Sequence, residues 1–213
     1  MAVDERARLL AISDSTLAHY EEAAERYWLG TRDHDVSQNV EALIEALEGA
    51  GPFRILDLGC GPGRDLATFR ALGHEPVGLD GSLRFVEMAR RHAEVPVLHQ
   101  NFLALDLPAA SFDGVFANAT LFHVPSAALP EVLARLHACL RPGGVLFSSN
   151  PRGDDREGWN GRRYGAYHEL ETWRSFLHDA GFAEIRHYYR PSGLPRAEQP
   201  WLASLWRKAG RDR

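Results

Sequence analysis

The run Ile55-Leu56-Asp57-Leu58-Gly59-Cys60-Gly61-Pro62-Gly63 constrains this chain more than any other segment. Its first four residues read as a buried strand, and Gly59, Gly61 and Gly63 alternate before a stretch with helical spacing. Glycine adopts backbone angles that other residues avoid and puts no side chain between the main chain and a ligand. The first turn of a helix adds unpaired N–H groups. The segment therefore predicts a strand, a tight turn with a ligand against its backbone, and a helix. Asp80 closes the next predicted strand, where a carboxylate can accept hydrogen bonds from the vicinal hydroxyls of a ribose. A glycine run alone is a weak signal; one bounded by strand and helix, with an acid at the next strand end, is strong. A dinucleotide fingerprint has its third glycine three positions after the second, and Arg64 stands there, obstructing a pyrophosphate.

Around this segment the chain alternates in the manner that builds a mostly parallel sheet. Apolar spacing predicts helices over 16–29 and from the N-cap Ser37 to Leu47, the second ended by Gly49 and Gly51. Strands are expected at 53–58, 76–80, 95–99, 112–118 and 145–149, with helices at 64–71, 82–92 and 126–140. An irregular stretch, 150–167, leads to a helix over 170–180 closed by Gly181. Strands at 184–189 and 201–207 follow, joined by a loop without helical periodicity and therefore read as antiparallel neighbours. The expected fold is α/β, a seven-stranded, mostly parallel sheet with helices on both faces (51–213) behind an N-terminal helical lid (1–50), in a single domain.

Composition narrows the classes. A length of 213 residues suits one α/β domain, and 45% hydrophobic with 25% charged residues excludes a disordered or fibrous chain. Net charge is −5, and Lys208 is the only lysine among 24 cationic residues. Arginines dispersed in this way argue for surface pairing and against nucleic acid as a partner. The basic tail 186–213 reads as a solvated face, with RNA binding as the alternative. No apolar run approaches the roughly 20 residues that span a bilayer, and Asp4 and Glu5 interrupt any signal segment, so no membrane association and a cytoplasmic location are expected. Cys60 and Cys139 lack CxxC or Cys/His ligand spacing, which predicts reduced thiols and no metal. Oligomeric state is not legible.

The segment Asp57–Gly63 with Asp80 resembles the first motif of the class I S-adenosylmethionine-dependent methyltransferases, and the resemblance extends over nearly the whole chain. It implies the Rossmann-like fold of that class, S-adenosylmethionine as cofactor, and a methyl-transfer activity. By this resemblance Asp57, Gly59, Gly61 and Gly63, with Cys60 in the same loop, face the methionine moiety, and Asp80 holds the ribose. Asn101 offers an acceptor to the adenine amino group and Phe102 a backbone amide to its ring; the family usually has Asp at the first position. Asn118 stands at the next strand end, beside the methyl donor or closing a turn.

Methyl transfer is an in-line displacement, so the protein must mainly aim a nucleophile and exclude water. Residues near the strand ends are therefore candidates. Tyr20, His34, His123 and Asn150 are weighed for catalysis, and Tyr20, Arg32, His34, Asn150, Arg152 and Tyr164 for substrate binding. Tyr27 and Trp28 read as packing residues of the lid; Arg32 and His34 sit in a run too polar for a core. Arg152 can fork onto a substrate carboxylate, and His123 is either a base or a satisfied turn histidine. Asn118-Ala119-Thr120-Leu121 lacks the Asn/Asp-Pro-Pro-aromatic pattern of enzymes that methylate base amines, and no recognition domain is evident, so a small metabolite is the expected partner.

A closer resemblance lies in two segments, Tyr27-Trp28-Leu29-Gly30-Thr31-Arg32-Asp33-His34-Asp35-Val36-Ser37-Gln38-Asn39 and Tyr188-Tyr189-Arg190-Pro191-Ser192-Gly193-Leu194-Pro195-Arg196 with Gln199-Pro200-Trp201-Leu202. They are similar to the methyltransferase domain of the ovothiol-forming enzyme, which implies N-methylation of 5-thiohistidine. Methylation of another metabolite, of RNA or protein, or a non-catalytic cofactor-binding module are the alternatives.

Overall fold

The computed structural model describes residues 3–210. Strand β1 (Arg54–Leu58) is apolar almost throughout because it is covered on both faces, as strands of parallel sheets are; Ile55, Leu56 and Leu58 are wholly buried. It pairs in parallel with β2 (Glu75–Asp80) on one side and β4 (Phe112–Asn118) on the other. Beyond β2 lies β3 (Val97–His99), and beyond β4 lies β5 (Leu140–Pro151). The last two strands of the chain, β8 (Phe182–Arg190) and β9 (Trp201–Lys208), are antiparallel, with β9 inserted between β5 and β8. The seven-stranded order is β3-β2-β1-β4-β5-β9-β8. Strand order reverses at β1, and the crevice past the carboxyl ends of β1 and β4 is where such sheets bind ligands.

Helices α2 (Ser37–Ala46), α3 (Arg64–Ala71), α4 (Leu83–Ala93), α5 (Leu129–Cys139) and α6 (Leu170–Asp179) flank the sheet. On one face Leu56, Val115, Leu146 and Trp206 pack against Leu133 and Leu136 of α5 and Trp173 and Leu177 of α6. On the other, Ile55, Phe116, Phe147 and Leu205 pack against Val40 and Leu43 of α2 and Phe69 of α3. Ser204, wholly buried between these layers, accepts from the indole N–H of both Trp173 and Trp206, so its burial leaves no polar group stranded. Among the described residues no helix is long and apolar enough to cross a membrane. Residues Arg211–Arg213 of the basic tail lie outside the described residues.

Several elements differ from the sequence reading. Helix α1 (Val3–Thr31) begins far ahead of Thr16; its first turns bury little besides Leu9, so periodicity gave no signal there. Ser37 lies inside α2 and caps nothing: Val36 is the N-cap, and Asp35 Oδ1 accepts from Ser37 N at 2.9 Å. Helix α5 starts at Leu129 because 126–128 form a turn bonded to the Pro125 carbonyl. The stretch expected to be irregular contains a hairpin, β6 (Arg156–Asn160) and β7 (Arg163–Tyr167), turning at Gly161 and Arg162. Strand β6 is mostly exposed and carries no apolar alternation, which hid it, while Gly161 at φ +62° takes the glycine place of a two-residue hairpin loop.

Candidate functional site

The three loop glycines answer three different demands. All have left-handed backbone, at φ +70°, +53° and +94° for Gly59, Gly61 and Gly63. A Cβ on Gly59 would lie 2.0 Å from Thr120 Oγ1, so the loop is pressed against the turn after β4. A Cβ on Gly63 would lie 2.8 Å from Ala89 Cα; this glycine lets α3 and α4 approach and does not line the cavity. Only Gly61 has open space before it, with Tyr27 as its nearest neighbour at 3.7 Å. Cys60 turns away from the loop's open side: its Sγ sits under α3 against Gly78, which limits any ligand contact to its backbone.

Two buried acids stand beside the loop. Asp80 accepts from Gly61 N and Ser82 N, each at 2.9 Å, yet burial outweighs these bonds and pushes its carboxyl up to about 6. Asp57 is raised well above the carboxylate range by burial and then by Asp65, and its Oδ2 has no hydrogen-bond partner among the described residues. Arg64 forks onto Asp65 at 2.7 and 2.9 Å and donates to Thr31 O at 2.9 Å, tying the start of α3 to the end of α1. Asn118 reaches Asp65 at 3.4 Å and accepts from Asn39 Nδ2 at 3.0 Å, and Tyr188 donates to Asn39 Oδ1 at 3.0 Å. A polar chain thus runs from β8 through α2 to the end of β4.

Helix α1 covers a cavity of about 70 Å³ walled by Gly59, Gly61, Asp80, Phe102, Thr120 and His123, with Tyr20 and Tyr27 entering from the helix. Tyr20 Oη lies 2.8 Å from His123 Nε2, and His123 Nδ1 lies 2.6 Å from Tyr164 O. A carbonyl only accepts, so Nδ1 carries the hydrogen, Nε2 is a bare acceptor, and Tyr20 donates to it. Burial lowers His123 to about 4, which keeps the ring neutral, and burial raises the Tyr20 phenol. Arg163 Nη1 stands 3.5 Å from Tyr20 Oη, and among the described residues Arg163 forms no ion pair, whereas adjacent Arg162 is bonded to Glu22. At the other end, Asn101 Oδ1 accepts from Ser13 Oγ at 3.0 Å and Leu103 N at 2.9 Å.

The structure therefore gathers Tyr20, His123, Gly59, Gly61, Asp80 and Phe102 around one cavity, with Asp57 and Asn118 behind it, but does not bring every expected residue there. Arg32 is half-exposed and pairs with Asp33, and His34 is exposed on the turn after α1. Arg152 donates to Arg196 O at 3.3 Å, outward on the loop before β9. Tyr164 packs its ring on Trp159, so its carbonyl and not its side chain serves the site. Asn150 is buried against a separate, smaller cavity. Sequence reasoning missed Thr16, whose Oγ1 accepts from Tyr164 N at 3.0 Å, and Thr120, Asn39 and Asp65. Ser13, Thr16, Tyr20 and Tyr27 recur at helical spacing and could have been found as one face; Asn39 reads as a polar-face residue and is nevertheless wholly buried.

Known proteins resemble this chain in sequence and in fold. Residues 55–144 match the family model of a methyltransferase domain. A ubiquinone biosynthesis O-methyltransferase of Alkalilimnicola ehrlichii is 30% identical over 205 residues, covering 87% of this chain and 76% of that one. A malonyl-acyl-carrier protein O-methyltransferase of Salmonella typhimurium is 31% identical over 156 residues, covering 66% of this chain and 61% of that one. The crystal structure of Burkholderia thailandensis 1,6-didemethyltoxoflavin-N1-methyltransferase, with bound 1,6-didemethyltoxoflavin and S-adenosylhomocysteine, matches with a TM-score of 0.75 at 26% identity, over 99% of this chain and 92% of that one.

Proposed function

This chain belongs to the class I S-adenosylmethionine-dependent methyltransferases, and we propose that it methylates an imidazole nitrogen of 5-thiohistidine, as in ovothiol biosynthesis. Its cofactor is S-adenosylmethionine, whose sulfonium supplies an electrophilic methyl group. The residues fit such a group: Asp80 is an acceptor at the cavity wall for ribose hydroxyls, and Asn101 and Phe102 flank the adenine end. Gly59 and Gly61 give bare backbone, and Asp57 has a buried oxygen still without a donor for the methionine end.

One observation carries the choice of acceptor. The two segments that resemble the ovothiol-forming domain, 27–39 and 188–202, lie far apart in sequence and join in space, through Tyr188 to Asn39 and through Arg190 Nη2 to Asp35 O at 3.2 Å. Their junction leads directly to Asn118 at the end of β4, beside the cofactor loop. The Burkholderia relative, an N1-methyltransferase with 1,6-didemethyltoxoflavin bound, supports a nitrogen as acceptor, although the two curated relatives named above are O-methyltransferases.

The chemistry asks more of orientation than of acid–base help. The thiol of 5-thiohistidine ionises readily and its charge enriches the ring, but sulfur is the better nucleophile toward a methyl group, so the protein must hold sulfur off the axis of transfer. Arg163, a cation without a carboxylate, is suited to hold the anionic sulfur, and the Tyr20 hydroxyl, fixed by neutral His123, is suited to set the ring plane. Incubation of the protein with methyl donor and 5-thiohistidine, followed by NMR of the product, tests the assignment. A methyl on the ring nitrogen is expected. A methyl on sulfur or on the amine, or turnover of a different acceptor alone, would overturn the substrate while leaving the family unchanged.

A further inference from the structure

Beside the Tyr20–His123 pair, two buried polar side chains share one small space. Asn150, in β5, is 8% exposed, and its Oδ1 makes no hydrogen bond among the described residues. His168, between β7 and α6, has a side chain 10% exposed, and its Nδ1 is likewise without a partner. Both residues line the same cavity of about 10 Å³, together with Phe122, Ala166, Trp173 and Leu202. Nearly all buried polar groups in folded proteins are satisfied, so two unsatisfied atoms on residues that line one space call for a common partner.

Size and chemistry select that solution. The cavity is about the volume of one water probe, roughly the 10–15 Å³ at which a polar cavity holds one water. No protein donor is available to Nδ1: the nearest charged group, Asp155 Oδ1 at 3.8 Å, is an acceptor, lies beyond hydrogen-bond range, and already accepts from Glu169 N at 2.9 Å. A water molecule carries two donors, one for each acceptor. The apolar walls leave no room for a larger ligand and offer no counter-charge for an ion. We infer that this cavity is a binding site for one water molecule, which donates one hydrogen to Asn150 Oδ1 and the other to His168 Nδ1.

The site fixes His168 as the neutral tautomer with its hydrogen on Nε2, directed at Ser126 Oγ 3.5 Å away. It also ties the end of β5 to the last residues of the β6–β7 hairpin, the element whose Tyr164 carbonyl sets the tautomer of His123. Phe122 lies between the two arrangements, with its ring 3.9 Å from that of His123 and on the wall of the water cavity. Asn150 thus serves the fold through a solvent molecule and not by touching substrate.

A high-resolution crystal structure together with long-range proton–nitrogen NMR of the imidazoles tests the site without any substrate. The expected result is a single density peak within hydrogen-bond distance of Asn150 Oδ1 and His168 Nδ1, and the Nε2–H pattern for His168 at neutral pH. Asn150→Leu, which removes the acceptor and fills the space, should abolish the peak and shift the His168 ring signals; Asn150→Asp, which keeps an acceptor, should retain both. An empty cavity in the wild-type density, or an Nδ1–H pattern for His168, would overturn the proposal, and neither reading depends on whether Asn150→Leu folds.

Discussion

The hydroxyl of Tyr20 donates to Nε2 of His123 across 2.8 Å, joining the middle of α1 to the turn after β4. The direction of this bond is set by a third group, the Tyr164 carbonyl on Nδ1. Through Tyr20, Thr16 and Ser13, α1 is bonded to the turn after β4, to the hairpin and to Asn101 after β3.

Tyr20→Phe keeps the ring in the cavity wall and strands Nε2 as a buried acceptor. Such an orphan costs about 1–3 kcal/mol. That penalty falls on the stability of the fold, whereas loss of the hydroxyl that orients the acceptor should lower kcat/KM by up to about 100-fold, with cofactor affinity changed far less. Steady-state kinetics beside calorimetric titration of the cofactor reads both quantities; equal losses in each would place Tyr20 in the cofactor site instead.

Two buried groups give opposite pH slopes. Native His123 sheds its proton above about 4 and the unfolded histidine above 6.5, so between these values the unfolded chain binds more protons and stability falls as pH is lowered. Native Asp80 holds its proton up to about 6, against 3.8 when unfolded, so in that window stability falls as pH is raised. The two effects offset one another over most of the range. Asp57, also raised by burial, slopes the same way as Asp80, so Asp57→Asn together with Asp80→Asn removes the opposing side, and urea unfolding should then show stability rising with pH from about 4 to 6.5, by at most roughly 3.5 kcal/mol at 1.4 kcal/mol per pH unit, less because the ring is partly accessible. A flat profile in that variant would contradict the neutral His123 on which the Tyr20 bond depends. If Asp80 holds the ribose as proposed, its protonation below about 6 leaves an uncharged and weaker acceptor, so cofactor affinity should weaken on acidification through that value.

Gly63→Ala and Gly61→Ala should separate packing from ligand contact. At Gly63 the new Cβ meets Ala89 backbone at 2.8 Å with φ +94°, whereas at Gly61 the nearest atom is 3.7 Å away. Overpacking of this kind costs about 1–3 kcal/mol and a left-handed non-glycine about 1 more, which lowers Tm by on the order of 10 °C for a chain of this size. Gly61→Ala should lose only a few degrees, at roughly 2–4 °C per kcal/mol, yet bind cofactor more weakly. Thermal melts with and without cofactor give both numbers.

The strand ends and the glycine loop were legible because their signals are local: β1 is buried almost throughout, its loop needs glycine, and Asp80 follows at the next strand end. What was not legible depends on contacts between distant segments. Asn39 and Asn118 are polar residues with no pattern of their own and become a pair only when α2 packs on the sheet beside β4. Arg32 and Arg163 carry the same charge and cannot be ranked by type. Arg32 pairs with the carboxylate of the adjacent residue, whereas Arg163 lies beside a phenol and has no carboxylate partner among the described residues. The hairpin was hidden for a different reason, since exposed strands need no apolar alternation.

Arg163 supplies the sharpest test of how the acceptor is aimed. Its guanidinium carbon lies 6.0 Å from the Tyr20 ring centroid and its Nη1 3.5 Å from the hydroxyl, so it is held beside the cavity wall with donors to spare. If it binds the anionic sulfur of 5-thiohistidine, Arg163→Gln removes a charged hydrogen bond worth about 1.5–3 kcal/mol and should raise KM for this acceptor by roughly 10- to 100-fold, with the cofactor dissociation constant nearly unchanged. Freed from its anchor, the sulfur can reach the methyl axis, so S-methylated product should accompany the ring-methylated one. Arg163→Lys keeps the charge without the planar fork and should fall between the two. Product NMR and kinetics on the same samples decide the matter: an unchanged KM with methyl still only on nitrogen would show that the sulfur is held elsewhere, while weaker binding of 5-thiohistidine to the Gln variant, even without turnover by the wild type, would keep the anchor and discard the substrate.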